Sequence, residues 1–226
     1  HSCFADEALS RKLIEKELLN LEKCFLRTKY LVTGTNVLSS SISAETIFFL
    51  LEQAKKSEVK VVIDLNWREV FWDYSNFASD TSKKGRINLI KNFLNHAHVI
   101  KLAKEEATLF FEIENPSLIS QQMSKRPDVI ITDGKNPVSW HINGFQGNTK
   151  IPKSQKIVDT TGAGDSFLAG LISEFISFGY PKSELEIQAC VRFASACGLL
   201  TCHGEGAIEP QPDYEKVSKF LGSLIS

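Results

Sequence analysis

Short runs of β-branched and other aliphatic residues alternate with longer segments of helical periodicity along most of this chain. Three of the runs, Val59–Leu65, His98–Leu102 and Val129–Thr132, are only four to seven residues long and mostly apolar. Apolar runs of this length are typical of parallel strands that are buried on both faces. Because helical segments separate them, the pattern indicates βαβ units and predicts an α/β fold with a doubly wound, mostly parallel sheet flanked by helices.

The remaining elements extend this pattern and break it once. A further strand is expected at Tyr30–Thr33, and Asn143-Gly144 between the runs Val138–Ile142 and Gly144–Lys150 is a strong signal for a β-hairpin. Helices are expected at Ala5–Cys24, Ser43–Lys56 with Ser43 as its N-cap, Lys84–Leu94, Lys104–Phe111, Ser117–Ser124, Ala163–Phe178, Lys182–Thr201 and Asp213–Leu224. No repeat, low-complexity tract or Pro- or Ser-rich linker divides the chain, so we predict a single domain over residues 1–226.

The charge balance and the cysteine spacing argue against several classes of function. The 26 basic and 27 acidic residues leave no net field to attract nucleic acid or an anionic membrane, and no apolar run of about 18 residues could cross a membrane. Five cysteines without a Cys-x-x-Cys pair argue against a disulfide framework and a zinc site. We therefore expect a soluble protein of a reducing compartment, either the cytoplasm or the interior of an organelle.

The segment Asp159–Phe167 places two glycines and two carboxylates at the start of an apolar helix. Glycines at a helix start leave backbone N–H groups accessible, and these donors form an anion cradle with the positive end of the helix dipole. A negative side chain beside that anion would weaken simple phosphate binding. Asp165 is therefore best explained as a proton acceptor for an incoming hydroxyl group.

Four other patterns share part of this segment. A tight turn with Asp165 as an N-terminal helix charge also fits the spacing and stays open on spacing alone. An aspartic-protease loop needs an all-β context and a glycine one position earlier, and this sequence has neither. The Gly-x-Gly-Asp of intramembrane proteases needs a membrane span, and no apolar run here is long enough to form one. A Walker A loop needs a Gly-Lys-Ser/Thr sequence, which does not follow here.

The twelve residues Asp159–Gly170 resemble, almost letter for letter, the C-terminal signature of the pfkB-type carbohydrate kinases, the ribokinase family. The resemblance implies an ATP-dependent sugar kinase in which Asp165 is the catalytic base. It also implies that the backbone amides of Gly162, Ala163 and Gly164 form the anion hole for the transferring phosphoryl group.

A segment of the first half resembles another motif of this family. Asp64-Leu65-Asn66-Trp67-Arg68, followed by Trp72, is similar to the Asp-x-Asn-x-Arg segment of fructokinase-like members. The resemblance implies that Arg68 clamps phosphate or substrate with its planar guanidinium group, and that Asn66 belongs to the cofactor-binding residues. Taken alone, Arg68 would be explained equally well as a surface residue of a loop.

Two further segments imply metal ions. Ala103-Lys104-Glu105-Glu106 occupies the place of the family's Asn-x-x-Glu magnesium motif, in which the acid acts on Mg²⁺ through waters. Glu106 fits the acid, whereas Ala103 stands where the motif has Asn. Gly204–Ile208 resembles the segment that closes the adenine pocket, and its Gly206 and Asp159 would border a monovalent cation such as K⁺.

The nucleotide is expected to contact two more places. Ile130–Gly134 resembles the family's Thr-x-Gly at a strand end, where ribose and phosphates pass, so Thr132 and Gly134 are expected to bind ATP. Val138 and its neighbours replace the second glycine that is usual after this turn. Phe193–Gly198 resembles the helix beside adenine, with Ser195 where Asn is common.

The resemblance begins part of the way into the family's sequence. We expect the N-terminal strands, the sugar-binding Asp and the lid of the ribokinase-like fold to be missing from these 226 residues. Fructose is the expected sugar, with ribose, 2-keto-3-deoxygluconate and nucleosides as other family substrates, and the full-length protein is expected to form a homodimer through its lid. The alternative is a catalytically inactive fructokinase-like scaffold or assembly protein, which the departures at Ala103, Val138 and Ser195 favour and the retained Asp165 opposes.

Overall fold

The computed structural model describes residues 18–69, 83–153 and 157–224. Trp72 and most of the expected Ala5–Cys24 helix lie outside these residues. The chain divides into two compact units, residues 1–129 and 130–226. The expectation that residues 1–226 form a single domain stays a prediction.

Three parallel strands form the centre of the first unit: β1 (Tyr30–Gly34), β2 (Lys60–Asp64) and β3 (Val99–Ala103). In β2 the last four residues are buried, as expected for a central strand rich in Val and Ile. Asp64 pairs in register with Gly34 on one side and with Lys101 on the other. The helices of this unit are α1 (Leu18–Phe25), α2 (Ser41–Lys56), α3 (Lys83–Leu94), α4 (Lys104–Phe111) and α5 (Pro116–Gln121).

Strand β4 (Asp128–Asp133) includes the boundary between the units, and β5 (Asn136–Ile142) and β6 (Phe145–Thr149) follow in the second unit. Among the described residues, β1, β2 and β3 are adjacent in that order in the first unit, and β5 pairs antiparallel with β6 in the second. The predicted α/β class with a mostly parallel sheet and helices is confirmed. The second unit continues with the helices α6 (Ala163–Phe178), α7 (Glu184–Thr201) and α8 (Tyr214–Ser223).

The predicted hairpin joins β5 to β6. Asn143 and Gly144 have φ values of 49° and 81°, as a type I′ turn requires at its two central residues. The buried indole of Trp140 donates from Nε1 to Thr149 Oγ1 at 2.9 Å across the antiparallel pair. A Cβ on Gly147 would lie 2.7 Å from this ring, so the glycine makes room for it.

Helices α2 and α5 begin before the residues expected from the sequence, and α7 begins two residues later than expected, at Glu184. Ser43 is not the N-cap of α2, because the helix begins at Ser41 with Ser40 as its capping residue. The Ser43 hydroxyl instead donates to the carbonyl of Val37 at 2.7 Å. Helix α5 begins at Pro116 because Asn115 Oδ1 accepts the Leu118 N–H at 3.2 Å, and proline suits the first helical position.

Helices α6 and α7 pack closely in the second unit. A Cβ on Gly170 would lie 2.6 Å from Cys197 Sγ, so this glycine sets the close approach of the two helices. No helix among the described residues is long and apolar enough to span a membrane.

A carboxyl group lies buried in the same unit. Glu174 of α6 is 8% exposed, and its Oε1 has no hydrogen-bond partner. Burial raises the pKa of Glu174. Burial and then the Glu174 charge raise the pKa values of the Cys190 and Cys197 thiols to about 11. Ionised Glu174 is therefore unfavourable in the folded state.

Glu174→Met is expected to stabilise the protein at neutral pH. The pKa of Glu174 is higher in the folded protein than in the unfolded chain. As the pH rises from the unfolded pKa to the folded pKa, the unfolded chain loses this proton first, and the folded state becomes less stable relative to it. Removing the carboxyl should add about 1–2 kcal/mol to the free energy of unfolding at pH 7, and the gain should shrink toward pH 4. Denaturant titrations across this range test it, with Glu209→Met as the exposed control. An equal gain at both pH values would contradict the explanation.

Candidate functional site

A glycine in the left-handed conformation precedes helix α6. Gly162 has φ 78° and ψ −3°, and its carbonyl accepts the Ser166 N–H at 2.9 Å as the helix begins. A Cβ at this position would lie 2.8 Å from both the Cα and the carbonyl oxygen of Ala207. Two constraints therefore require glycine at position 162: the left-handed backbone conformation and the close approach of the 204–208 loop.

The carboxylate of Asp159 connects that loop to the start of the signature. Its Oδ1 accepts the N–H of Thr161 at 2.9 Å and the hydroxyl at 2.7 Å, and its Oδ2 accepts the Gly206 N–H at 2.9 Å. The Thr161 backbone and hydroxyl, then Gly206 and Thr160, lower the pKa of Asp159. Three hydrogen bonds therefore use three of the about four acceptor positions that a carboxylate offers. A cation beside Asp159 would share its oxygens with these donors, and the monovalent cation stays a prediction.

Helix α7 supports the signature from the other side. A Cβ on Gly198 would lie 2.8 Å from the carbonyl oxygen of Ala163, so α7 approaches the first turn of α6 at its glycine. At the end of α7, the Cys202 carbonyl accepts the Val158 N–H at 2.8 Å. The residues before and after Gly162 are thus held by contacts to one helix.

A cavity of about 930 Å³ opens beside this helix start. Its volume lies within the range of small-molecule sites. Thr132, Gly134, Ala163, Gly164 and Ser195, all predicted from the sequence, line it within the second unit. Apolar side chains supply most of the remaining wall: Val138, Ile151, Pro152, Ile157, Phe167 and Leu199.

Two lysines of the cavity wall were missed by the sequence analysis. Lys135 lies in the turn between β4 and β5, and Lys153 follows β6, and both are exposed. The signal for Lys135 was its place directly after the predicted nucleotide turn at Gly134. Lys153 carries no such signal, because neither periodicity nor a motif marks it.

Several polar groups at this site are already engaged. The Ser195 hydroxyl is buried and donates to the Val191 carbonyl at 2.7 Å. The Ala163 N–H donates to the Thr160 carbonyl at 3.2 Å, so an anion here would share that donor. Asp165 lies in the first turn of α6 and is exposed to solvent.

In the first unit, Glu106 holds the loop that follows β2. Its Oε1 accepts the Trp67 N–H at 2.6 Å, and its Oε2 accepts the Ala103 N–H at 2.7 Å. The Trp67 ring also meets Phe110 edge-on at 5.4 Å. Asn66, with φ 40°, and exposed Arg68 therefore lie on either side of an anchored residue.

Glu106 can serve a metal ion only through its remaining lone pairs. Each oxygen already accepts one backbone N–H, which leaves about one acceptor position on each for a metal ion or for a water bound to it. Burial raises the pKa of Glu106, and the nearby Asp64 charge acts in the same direction, while the two N–H groups and Lys101 oppose the rise. No group of three or more His, Cys, Asp or Glu that could hold a metal occurs in the described part of the chain.

Comparison with known proteins gives a consistent set of relatives. A family described as "pfkB family carbohydrate kinase" matches residues 2–214. "Probable fructokinase-7" of Arabidopsis thaliana is 28% identical over 229 residues, covering 98% of this chain and 62% of the relative. "Probable fructokinase-6, chloroplastic" of the same plant is 27% identical over 222 residues, covering 96% and 54%.

A solved structure has the same fold. The fructokinase with bound ATP from Xylella fastidiosa matches with a TM-score of 0.77 at 23% identity, covering 91% of this chain and 65% of that one. The chain thus spans between 54% and 65% of the length of these three proteins.

Gly162→Ala is expected to cost much more stability than Gly134→Ala. Both glycines have a positive φ, 78° and 52°, but only at Gly162 would the new Cβ collide with backbone. The left-handed conformation alone costs about 1–2 kcal/mol for alanine, and the collision should add at least as much again. Denaturant unfolding of the two variants measures the difference. Equal losses would show that the 204–208 loop yields and that the close approach is unimportant.

Proposed function

The chain belongs to the pfkB family of carbohydrate kinases, and on this basis we propose that the protein containing it transfers the γ-phosphoryl group of ATP to a sugar hydroxyl. One observation carries the proposal: a cavity of nucleotide size is bounded by the glycine-rich start of α6, where Asp165 stands. Helix N-termini bind phosphate through their backbone N–H groups and dipole. A carboxylate in the same turn supplies a base beside the bound phosphate.

Asp165 is the proposed catalytic base. Its carboxylate takes the proton of the sugar hydroxyl while that oxygen attacks the γ-phosphorus, and ADP leaves with the electrons of the broken P–O bond. The backbone amides of Gly162, Ala163 and Gly164 are proposed to stabilise the charge on the transferring phosphoryl group. Exposure of Asp165 suits this role, because the sugar must reach it from solvent.

ATP is proposed to occupy the cavity of the second unit. Thr132 and Gly134 border ribose and phosphates, and Ser195 borders the base. Gly206 acts indirectly, since its N–H is held by Asp159. Lys135 and Lys153 add positive charge to the wall of the same cavity.

The proposal also assigns roles to residues of the first unit. Arg68 is assigned to phosphate or substrate and Asn66 to cofactor binding. Glu106 would hold Mg²⁺ through water. A monovalent cation next to Asp159 stays a prediction without support in the geometry.

Fructose is the proposed acceptor because the named relatives are fructokinases. We propose the cytoplasm as the compartment, with the plastid as the alternative that the name of one relative suggests. The homodimer also stays a proposal. An inactive scaffold is the second candidate, favoured by Ala103, which offers no side-chain acceptor to cap helix α4.

Asp165→Asn is expected to reduce turnover at least a thousandfold while ATP binding persists, because only the proton acceptor is lost. ADP release by the full-length protein with ATP and Mg²⁺ is measured against fructose, ribose, 2-keto-3-deoxygluconate and adenosine. Asp213→Asn is the matched control, since asparagine also caps a helix, α8 in this case.

Each outcome of this assay has a distinct meaning. ADP release that only fructose stimulates supports fructose as the acceptor. Release that another sugar stimulates would identify that sugar as the acceptor and exclude fructose. Unchanged turnover in Asp165→Asn would exclude Asp165 as the base. No release with any acceptor, together with measurable ATP binding, would favour the scaffold.

Lys135→Met and Lys153→Met are each expected to weaken ATP binding about tenfold and leave adenosine binding unchanged. A lysine near phosphate contributes through charge, which adenosine lacks. Direct titration with ATP, ADP, AMP and adenosine at two salt concentrations measures the effect. Lys150→Met, an exposed position that does not line the cavity, is the control. An equal loss for adenosine would show that the lysines shape the cavity and do not contact phosphate.

A further inference from the structure

A buried ion pair joins the last residue of β2 to the middle residue of β3. Lys101 Nζ donates to both oxygens of Asp64, at 3.1 and 2.9 Å. The two side chains are only 8% and 7% exposed. They lie in register on neighbouring strands, at the end of β2 and in the middle of β3. The pair is therefore a fixed feature of the sheet and is shielded from solvent.

Stability alone is a weak explanation for this pair. Removing two charges from water is costly, and well-packed apolar residues of similar volume often replace a buried ion pair without loss of stability. The neighbouring positions of both strands are indeed apolar, with Ile63, Ile100 and Leu102 fully buried. The charged pair interrupts this apolar packing beside the last residue of β2, where the loop after this strand begins.

The loop after β2 starts directly after Asp64, and three hydrogen bonds hold its first residues. The Leu65 N–H donates to the Lys101 carbonyl at 2.9 Å, and the Leu65 carbonyl accepts the Thr35 hydroxyl. Glu106 then accepts the Trp67 N–H. Asn66 takes up its left-handed conformation between these two anchored residues. These anchored residues directly follow Asp64, whose carboxylate Lys101 holds from the neighbouring strand.

We propose that Lys101 is a positioning residue for the reaction. By holding the Asp64 carboxylate with two hydrogen bonds, it sets the start of the loop that presents Asn66 and Arg68. This inference rests on the proposed function, which assigns those two side chains to binding. Lys101 itself acts through the loop and contacts no substrate.

The test separates positioning from stability by replacing the pair with apolar residues. Lys101→Met alone leaves the buried Asp64 without its bidentate cation and should lower stability. The double variant Asp64→Leu/Lys101→Met removes both charges and should unfold near the wild-type midpoint. Lys101→Arg keeps the cation and should retain most of the activity. Val62→Ala, a buried position of β2 away from the loop, reproduces a loss of packing alone.

Steady-state kinetics of the full-length protein give the first result. The double variant is expected to lose at least tenfold in kcat/KM despite its restored stability, with the loss mainly in the KM for sugar or ATP. Val62→Ala is expected to keep kcat/KM within twofold. A double variant that is stable and has wild-type kcat/KM would overturn the proposal, since the pair would then be purely structural.

Hydrogen exchange gives a second result that does not depend on turnover. Peptides containing Leu65 and Trp67 are expected to exchange at least tenfold faster in the double variant, while the rest of β2 and β3 stays protected. Lys101→Arg should restore the protection. Unchanged exchange in the loop would overturn the inference even if the kinase is active. Absence of turnover in the wild type would contradict the proposed function only, and the exchange result would still decide the role of Lys101.

Discussion

The hydrogen bonds accepted by Asp159 determine the geometry of the candidate site in the second unit. They bring Gly206 beside the signature segment and so place Ala207 against Gly162. With that contact formed, only glycine fits before α6, and the first turn of the helix carries no bulky side chain toward its N-terminus. Any anion binding depends on the accessibility of this helix end. That accessibility follows from the carboxylate of Asp159, six residues before Asp165.

The same unit uses glycines to fix how its helices approach each other. Gly170 admits the Cys197 thiol, and Gly198 admits the Ala163 carbonyl. The first contact lies in the second turn of α6 and the other at its start, so α7 supports the helix that carries Asp165 at two points. A larger side chain at Gly170 or Gly198 would displace α7 from α6 and so move Asp165 relative to the cavity. Substitutions at residues that do not contact the substrate can therefore change the reaction rate.

Local patterns predicted the elements better than they predicted the side-chain contacts. Helix α6 has the predicted bounds because glycines with positive φ, Gly162 and Gly179, stand on both sides of it. The hairpin was predicted because Asn143-Gly144 suits one turn type. The Asp64–Lys101 pair could not be predicted, since it depends on the register of two strands 37 residues apart. Lys153 was missed for a similar reason: only the folded chain brings it to the cavity.

Glu106 has a structural role that its predicted contact with a metal ion does not include. A carboxylate that accepts the N–H groups of Trp67 and Ala103 joins the loop after β2 to the end of β3 whether or not a metal ion is present. Glutamine at this position would retain one acceptor oxygen and replace the other with a donor, which would face a backbone N–H. Loss of activity in such a variant would therefore report a displaced loop as readily as a lost ion. A substitution would report the effect of the metal ion alone only if it preserved both hydrogen bonds, and no natural side chain besides the carboxylate itself does so. The direct approach is to vary the ion and leave Glu106 in place.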